Sequence, residues 1–178
     1  MKLTGLSSAY IVQNKLLTFN LDVVFKKCLL LWVKPETKFW QAVKKNTPLI
    51  RWNRIENSIN NGIPDLLGSG ETSSFFTVEL KITYDNKTIK FSPHQIAWHR
   101  INTGPKFIMI STRCQSSVKL FQHTIISGQR TRFTDYAPLA VVNDIKDKEQ
   151  WTTLQNKMLE NTWQDQQSMI YYQGWRAG

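Results

Sequence analysis

From Phe76 to Thr83 the chain alternates without a break. Phe76, Val78, Leu80 and Ile82 are apolar, and Thr77, Glu79, Lys81 and Thr83 between them are not. A period of two is the pattern of a strand with one face toward a core, so the run predicts a β-strand carrying Glu79 and Lys81 side by side on its polar face. The segment Lys106 to Thr112 reads differently, because Phe107 to Ile110 is continuously apolar and predicts a buried strand. Between these strands, Ser92, Pro93 and Gln95 form an S-x-x-Q capping box with proline at the first helical position, predicting a helix that ends near Gly104. Upstream, a helix is expected from Pro35 to about Asn46. Downstream, Ser117 to Ile126 alternates as an edge strand, and Tyr136 to Val142 is a mixed apolar segment after a turn. Trp151, Leu154 and Met158 then recur at helical spacing and predict an amphipathic helix from Lys148 to about Thr162. The elements together predict one α/β domain with a mixed central sheet and helices on its faces.

Length and composition fit this picture. A chain of 178 residues with 41% hydrophobic and 12% aromatic positions can bury one substantial core. The organisation expected is an N-terminal extension over residues 1–33, then a single domain over 34–178 ending in a helical and aromatic extension. Within residues 1–33 the longest apolar run, Cys28 to Val33, is far too short to span a bilayer, and Asp22 and Lys26-Lys27 interrupt any signal-peptide core. Cys28 and Cys114 lack C-x-x-C spacing, so free thiols in a reducing cytoplasm are expected. His94, His99 and His123 are not spaced for a zinc site or an HNH-type nuclease and read as ordinary surface or core residues.

Charge narrows the partner. The net charge is +10, and Lys34 to Arg132 holds 15 Lys and Arg against 6 Asp and Glu. A basic protein gains affinity for nucleic acid by releasing counterions, so a polyanion, and no membrane, is the expected partner. Three of the six acids are Glu56, Asp65 and Glu79. Asp65 closes the sequence Gly62-Ile63-Pro64-Asp65, and Glu79 follows fourteen residues later, room for two short strands joined by a turn at Gly68-Ser69-Gly70. Two carboxylates supply the hard oxygen ligands that a magnesium-like ion takes. A neighbouring ammonium, Lys81, can orient an attacking water or stabilise charge on a phosphate.

This combination, GIPD, a hairpin turn and then VELK, resembles the PD-(D/E)XK nuclease superfamily, and is most similar to small phage and prokaryotic members related to the VRR-NUC group and to Holliday junction resolvases. The resemblance covers roughly Lys34 to Thr112. It implies a restriction-endonuclease-like core and a Mg2+-dependent DNA endonuclease, with Mn2+ able to substitute, acting in junction resolution, repair or recombination. It makes Asp65 and Glu79 metal ligands, Lys81 the water-orienting or charge-stabilising group, and Gln95 an auxiliary residue near the start of the following helix. Gln95 is equally well read as a helix cap, and the two roles can coexist. Two acids compete for the superfamily's additional glutamate: Glu56, in an Arg-x-Glu pattern before the PD motif, is favoured, and Glu36 reads as a favourable charge at a helix N-terminus. Cutting two strands of a branched substrate symmetrically would imply a homodimer.

Candidate phosphate contacts are Lys44, Lys45, Arg51, Arg54, Lys87, Lys90, Arg100, Arg130 and Arg132. The last two lie in Ser127 to Arg132, expected as a flexible basic loop. The alternative to an enzyme is a basic nucleic-acid-binding protein without catalysis, in which the acids are structural. The segment from Asp144 on, with 4 Lys and Arg against 5 Asp and Glu, is not the electrostatic footprint, and its aromatic residues read as packing.

Overall fold

Apolar alternation builds the centre of the molecule, which a computed structural model describes over residues 34–55, 62–71 and 75–160. Residues 1–33, the Glu56 candidate, and the aromatic residues Trp163, Tyr171, Tyr172 and Trp175 lie outside the described residues. From Pro35 on, the described residues fall in one compact unit. In chain order they form α1 (Pro35–Asn46), β1 (Arg51–Arg54), β2 (Leu66–Ser69), β3 (Phe75–Thr83), β4 (Thr88–Lys90), α2 (Pro93–Ile101), β5 (Lys106–Thr112), β6 (Val118–Gln122), β7 (Arg130–Arg132), β8 (Ala140–Val142) and α3 (148–160). Six strands make a central sheet in the order β1-β2-β3-β5-β6-β8, and β4 pairs with β7 in a separate ribbon. The pair β3 and β5 is parallel and the other neighbours are antiparallel, so the sheet is mixed.

Each face of the sheet has its own core. Phe76, Val78 and Leu80 of β3 join Phe107 and Met109 of β5 under Phe39 and Val43 of α1 and Trp151, Leu154 and Met158 of α3. On the other face Ile108 and Ile110 pack with Ile89, Phe91, Phe121 and Phe133, with Ile96 of α2 against them. The continuous apolar run in β5 therefore serves two cores, as a doubly covered strand requires. In β3 the polar residues face the layer formed by α2 and the β4-β7 ribbon. That layer covers much of the face, and Glu79 is 1% exposed.

Two anchors hold α2. At its start the capping box forms, with Ser92 Oγ accepting from Gln95 N at 3.1 Å and Gln95 Oε1 accepting from Ser92 N at 3.0 Å. At its end the buried Lys106 ammonium donates to the carbonyls of His99, at 2.7 Å, and Asn102. A cation there satisfies orphan carbonyls and complements the helix dipole.

Two expectations from the sequence need correction. Ser117 to Ile126 is not an edge strand, because β6 pairs with β5 on one side and β8 on the other. The segment closes at Gln122, where a short 3-10 turn, His123–Ile125, begins. Arg130 and Arg132 are not on a free loop either. Lys90 pairs with Arg130 and Thr88 with Arg132 across the ribbon, and Thr131 between the two arginines is buried.

Gly68 shows how tightly the first core is filled. An edge-to-face series runs from Trp40 to Trp52, Phe76 and Phe107, with centroid separations of 6.2, 5.7 and 5.6 Å. A Cβ on Gly68 would lie 2.6 Å from the Phe76 ring and 2.9 Å from Trp52. Gly68→Ala should therefore destabilise the fold by about 1–3 kcal/mol in urea denaturation. Gly128→Ala, with nothing within 4 Å of the added carbon, should stay within about 0.5 kcal/mol.

Candidate active site

The site begins where the β2-β3 ladder stops. Pairing runs from Ser69 opposite Phe75 to Leu66 opposite Val78, whereas β3 continues beside β5 as far as Thr83. Past Val78 one edge of β3 is therefore free of β2. Asp65, immediately before β2, fills the first vacant position with its side chain, and Asp65 Oδ2 accepts from Leu80 N at 2.7 Å. Gly62 makes this approach feasible, since its φ of 117° is left-handed and its α-carbon packs against the backbone of His94. The loop carrying Asp65 is thus seated on the first turn of α2, one residue from Gln95.

Glu79, Lys81 and Gln95 form a closed hydrogen-bonded triangle. Lys81 Nζ lies 2.8 Å from Glu79 Oε1 and donates to Gln95 Oε1 at 3.0 Å. Gln95 Nε2 donates to Glu79 Oε1. One glutamine side chain therefore caps α2 and bridges both charged groups, so both readings of Gln95 describe its contacts. Lys81 Nζ also stands 5.0 Å from the Phe91 ring centroid, a cation–π contact that holds the ammonium from below. The other carboxylate oxygen, Glu79 Oε2, is buried and has no hydrogen-bond partner among the described residues. Leaving such an atom unsatisfied costs about 1–3 kcal/mol, more for a charge.

These groups line a cavity of about 200 Å3 together with Glu36, Trp40 and Arg54. Glu36 and Trp40 are one helical turn apart on α1 and face the same side. Burial pushes the Glu79 carboxyl up to about 7, with the neighbouring Asp65 adding to the rise and Lys81 opposing it. Burial also raises Asp65, against the Leu80 amide and Lys81, which lower it. Glu36 contributes repulsion to both carboxylates. Three acids thus share one small space.

The structure brings Asp65, Glu79, Lys81 and Gln95 together and leaves Glu56 outside the described residues. Ile55 N donates to Asp65 O at 2.8 Å, so the described chain runs beside Asp65 up to the residue before Glu56. Arg54, expected as a phosphate contact, lines the carboxylate cavity. Lys90 and Arg130 line an adjoining groove of about 430 Å3 that also contains Glu36, Leu80 and Lys81. Lys44, Lys45, Arg51, Lys87, Arg100 and Arg132 are exposed and line neither space. Sequence reasoning did not place Trp40 in the site. Its four-residue spacing from Glu36 was the available signal.

A magnesium-sized ion takes one or two carboxylates and keeps several waters, and the Asp65-Glu79 pair fits that demand. The orphaned Glu79 Oε2 is the observation that favours it. Among the described residues no group of three or more His, Cys, Asp or Glu is arranged to hold a metal by itself. No protein-family profile matches the sequence, and neither does any curated protein. Among solved structures, a Holliday junction resolvase from the archaeal hyperthermophile Archaeoglobus fulgidus matches with a TM-score of 0.39 and 9% identity, covering 55% of this chain and 81% of that chain.

The raised Glu79 carboxyl sets a sign for stability. A folded-state value above the ordinary carboxylate value of 4.5 contributes stability that is complete below pH 4.5 and lost as pH rises through about 7. In EDTA, Glu79→Gln should match the wild type near pH 4 and become more stable relative to it toward pH 8, by as much as roughly 3 kcal/mol. Thermal melts of both proteins across that range measure the difference. A constant difference would mean that burial does not raise the group.

Proposed function

We propose that this chain is a Mg2+-dependent DNA endonuclease that hydrolyses phosphodiester bonds, with Mn2+ able to substitute, and that it serves in junction resolution, repair or recombination. The observation that carries the reading is the buried, half-satisfied Glu79 carboxylate next to Asp65, with the Lys81 ammonium on its bonded oxygen. The motif resemblance of the sequence points the same way.

A bound divalent ion supplies Lewis acidity, a lowered water pKa and neutralisation of charge on the phosphate oxygens. The residues of the chain do the rest. Asp65, whose carboxylate Leu80 N orients, and Glu79 would hold the ion. Lys81 has three ammonium donors, two of them engaged by Glu79 and Gln95. The third orients the attacking water or meets the phosphate. Gln95 positions Lys81 and Glu79 against one another and touches no reacting atom.

The upstream acid is open to a direct choice. Glu36 lines the cavity and acts on both carboxylates, whereas Glu56 is favoured by the sequence pattern. Glu36 is the proposed third acid, positioning water in the cavity, and Glu56 joins it if both are needed. A homodimer follows for a substrate in which two strands are cut, and the exposed cations supply the attraction to DNA.

Asp65→Asn and Glu79→Gln should each abolish cleavage of linear, single-stranded, flap and four-way-junction DNA while retaining most DNA affinity. Mg2+ should raise the melting temperature of the wild type and of neither variant. This second readout does not depend on activity. Lys81→Ala should lower the single-turnover rate by about 100-fold or more with little effect on affinity. Cleavage by either carboxylate variant at the wild-type rate would remove the assignment, and binding without cleavage of any substrate would favour a non-catalytic binding protein.

Glu36→Gln should slow metal-dependent cleavage at least about tenfold, an effect of roughly 1.4 kcal/mol on the barrier. Single-turnover rates for Glu36→Gln and Glu56→Gln assign the third acid. A dead Glu56→Gln beside an active Glu36→Gln would return the role to Glu56.

A further inference from the structure

Beyond Leu80 the free edge of β3 runs on into the larger groove, which Lys81, Tyr84, Lys90 and Arg130 line. Two features of that groove are unexplained by catalysis. Lys90 and Arg130 are register partners on the β4-β7 ribbon, so two like charges stand directly opposite one another, an arrangement that is destabilising by itself. An anion between them removes the penalty. The second feature is Tyr84, which is 75% exposed. Among the described residues, of the exposed large hydrophobic side chains Leu49, Phe75, Tyr84, Ile101 and Tyr136, it alone lines either space beside the carboxylates.

Tyr84 is followed by a hydrogen-bonded turn. Asp85 Oδ1 accepts from Lys87 N at 2.9 Å and Thr88 N at 2.8 Å, and its Oδ2 accepts from Thr88 Oγ1 at 2.6 Å. Asn86 sits at a left-handed φ of 56°, a conformation that asparagine tolerates better than most residues. The guanidinium of Arg113 lies 5.9 Å from the Tyr84 ring centroid, at the outer limit of a cation–π contact, and the residue remains 75% exposed. Along a strand, three residues from Lys81 to Tyr84 correspond to about 10 Å. That is roughly three nucleotide steps of one strand in a duplex.

We propose that Tyr84 is a stacking platform for an unpaired base flanking the scissile phosphate, with Lys90 and Arg130 gripping the intervening backbone. A paired base is covered on both faces by its neighbours and offers Tyr84 nothing. The substrate class is therefore DNA with at least one unpaired nucleotide within about three steps of the cut, such as a flap, a fork or a branch point, and fully paired duplex is disfavoured. The inference rests on the nuclease reading of the adjoining carboxylates, but Tyr84 stacking can be measured without cleavage.

The test measures binding in EDTA of a fluorescein-labelled flap DNA and of the fully paired duplex of the same sequence. Wild-type protein should prefer the flap. Tyr84→Ala should lose roughly five- to hundredfold in flap affinity and less than about twofold for the duplex, which gains no stacking from Tyr84. Tyr84→Phe, which keeps the ring, should retain the preference. Equal melting temperatures for the three proteins establish that the turn is intact. Equal losses on both DNAs with Tyr84→Ala, or no loss on either, would overturn the proposal, as would failure of Tyr84→Phe to retain the preference. Incubation of the wild type with the same flap in Mg2+ tests the other reading. No cleavage together with a Tyr84-dependent preference rejects the nuclease and keeps the stacking site, and cleavage without Tyr84 dependence does the reverse.

Discussion

The buried carboxylate of Glu79 is the constraint to which the surrounding structure answers. It sits on the face of β3 that α2 and the β4-β7 ribbon cover, with 1% of the residue exposed. A charge in that position is costly unless paired and hydrogen-bonded. Lys81 meets one oxygen from the next position on the same face of the strand, and Gln95 meets that same oxygen from the helix above. Gln95 is in turn fixed by Ser92 and by Lys81. The start of α2 is thus set by the same side chain that holds the carboxylate, and its end is held by Lys106 at the start of β5.

A second constraint acts on Asp65. Ladder hydrogen bonds would cover the β3 edge at Leu80 if β2 began two residues earlier, and the carboxylate could not reach. Pro64 lacks a backbone N–H and cannot donate to a ladder, and Gly62 carries the chain through a left-handed turn against His94. The strand therefore starts at Leu66 and a side chain substitutes for the missing backbone partner. The same early end of β2 frees the edge along which the groove runs to Tyr84. One turn sequence accounts for the position of the acid and for the space beside it.

Much of this was legible in the sequence where periodicity and local chemistry agree. The alternation in β3, the capping box of α2, the apolar run of β5 and the helix start at Pro35 all correspond to elements with those bounds or close to them. The spacing of Asp65, Glu79 and Lys81 brought the three to one cavity. What was not legible depends on non-local partners. Nothing near Ser117 to Ile126 announces that residues 140–142 will pair along its far side, so an interior strand reads as an edge. The SGQRTR segment has a loop's composition, yet it is ordered by β4 forty residues away. Glu36 reads as a helix-terminal charge because its neighbours in sequence say nothing of β3, and only packing of α1 brings it to the acids.

Electrostatics separates the readings of the site more sharply than motif spelling does. A protein that only binds a polyanion gains from cations and loses from buried acids, and here Glu36, Asp65 and Glu79 repel one another in about 200 Å3 of space. An amide at position 79 could still bond Lys81 and Gln95, without the cost of burying a charge. Retaining a carboxylate there makes physical sense if a second cation, in addition to Lys81, completes the site. The chain's net charge of +10 sharpens the contrast, since three acids are gathered in one cavity of a chain in which cations are in excess. The pairing of Lys90 with Arg130 is the converse arrangement, two cations opposite one another across the ribbon. On the proposed reading, a phosphodiester strand lying across both, with a divalent ion at one end, would neutralise each.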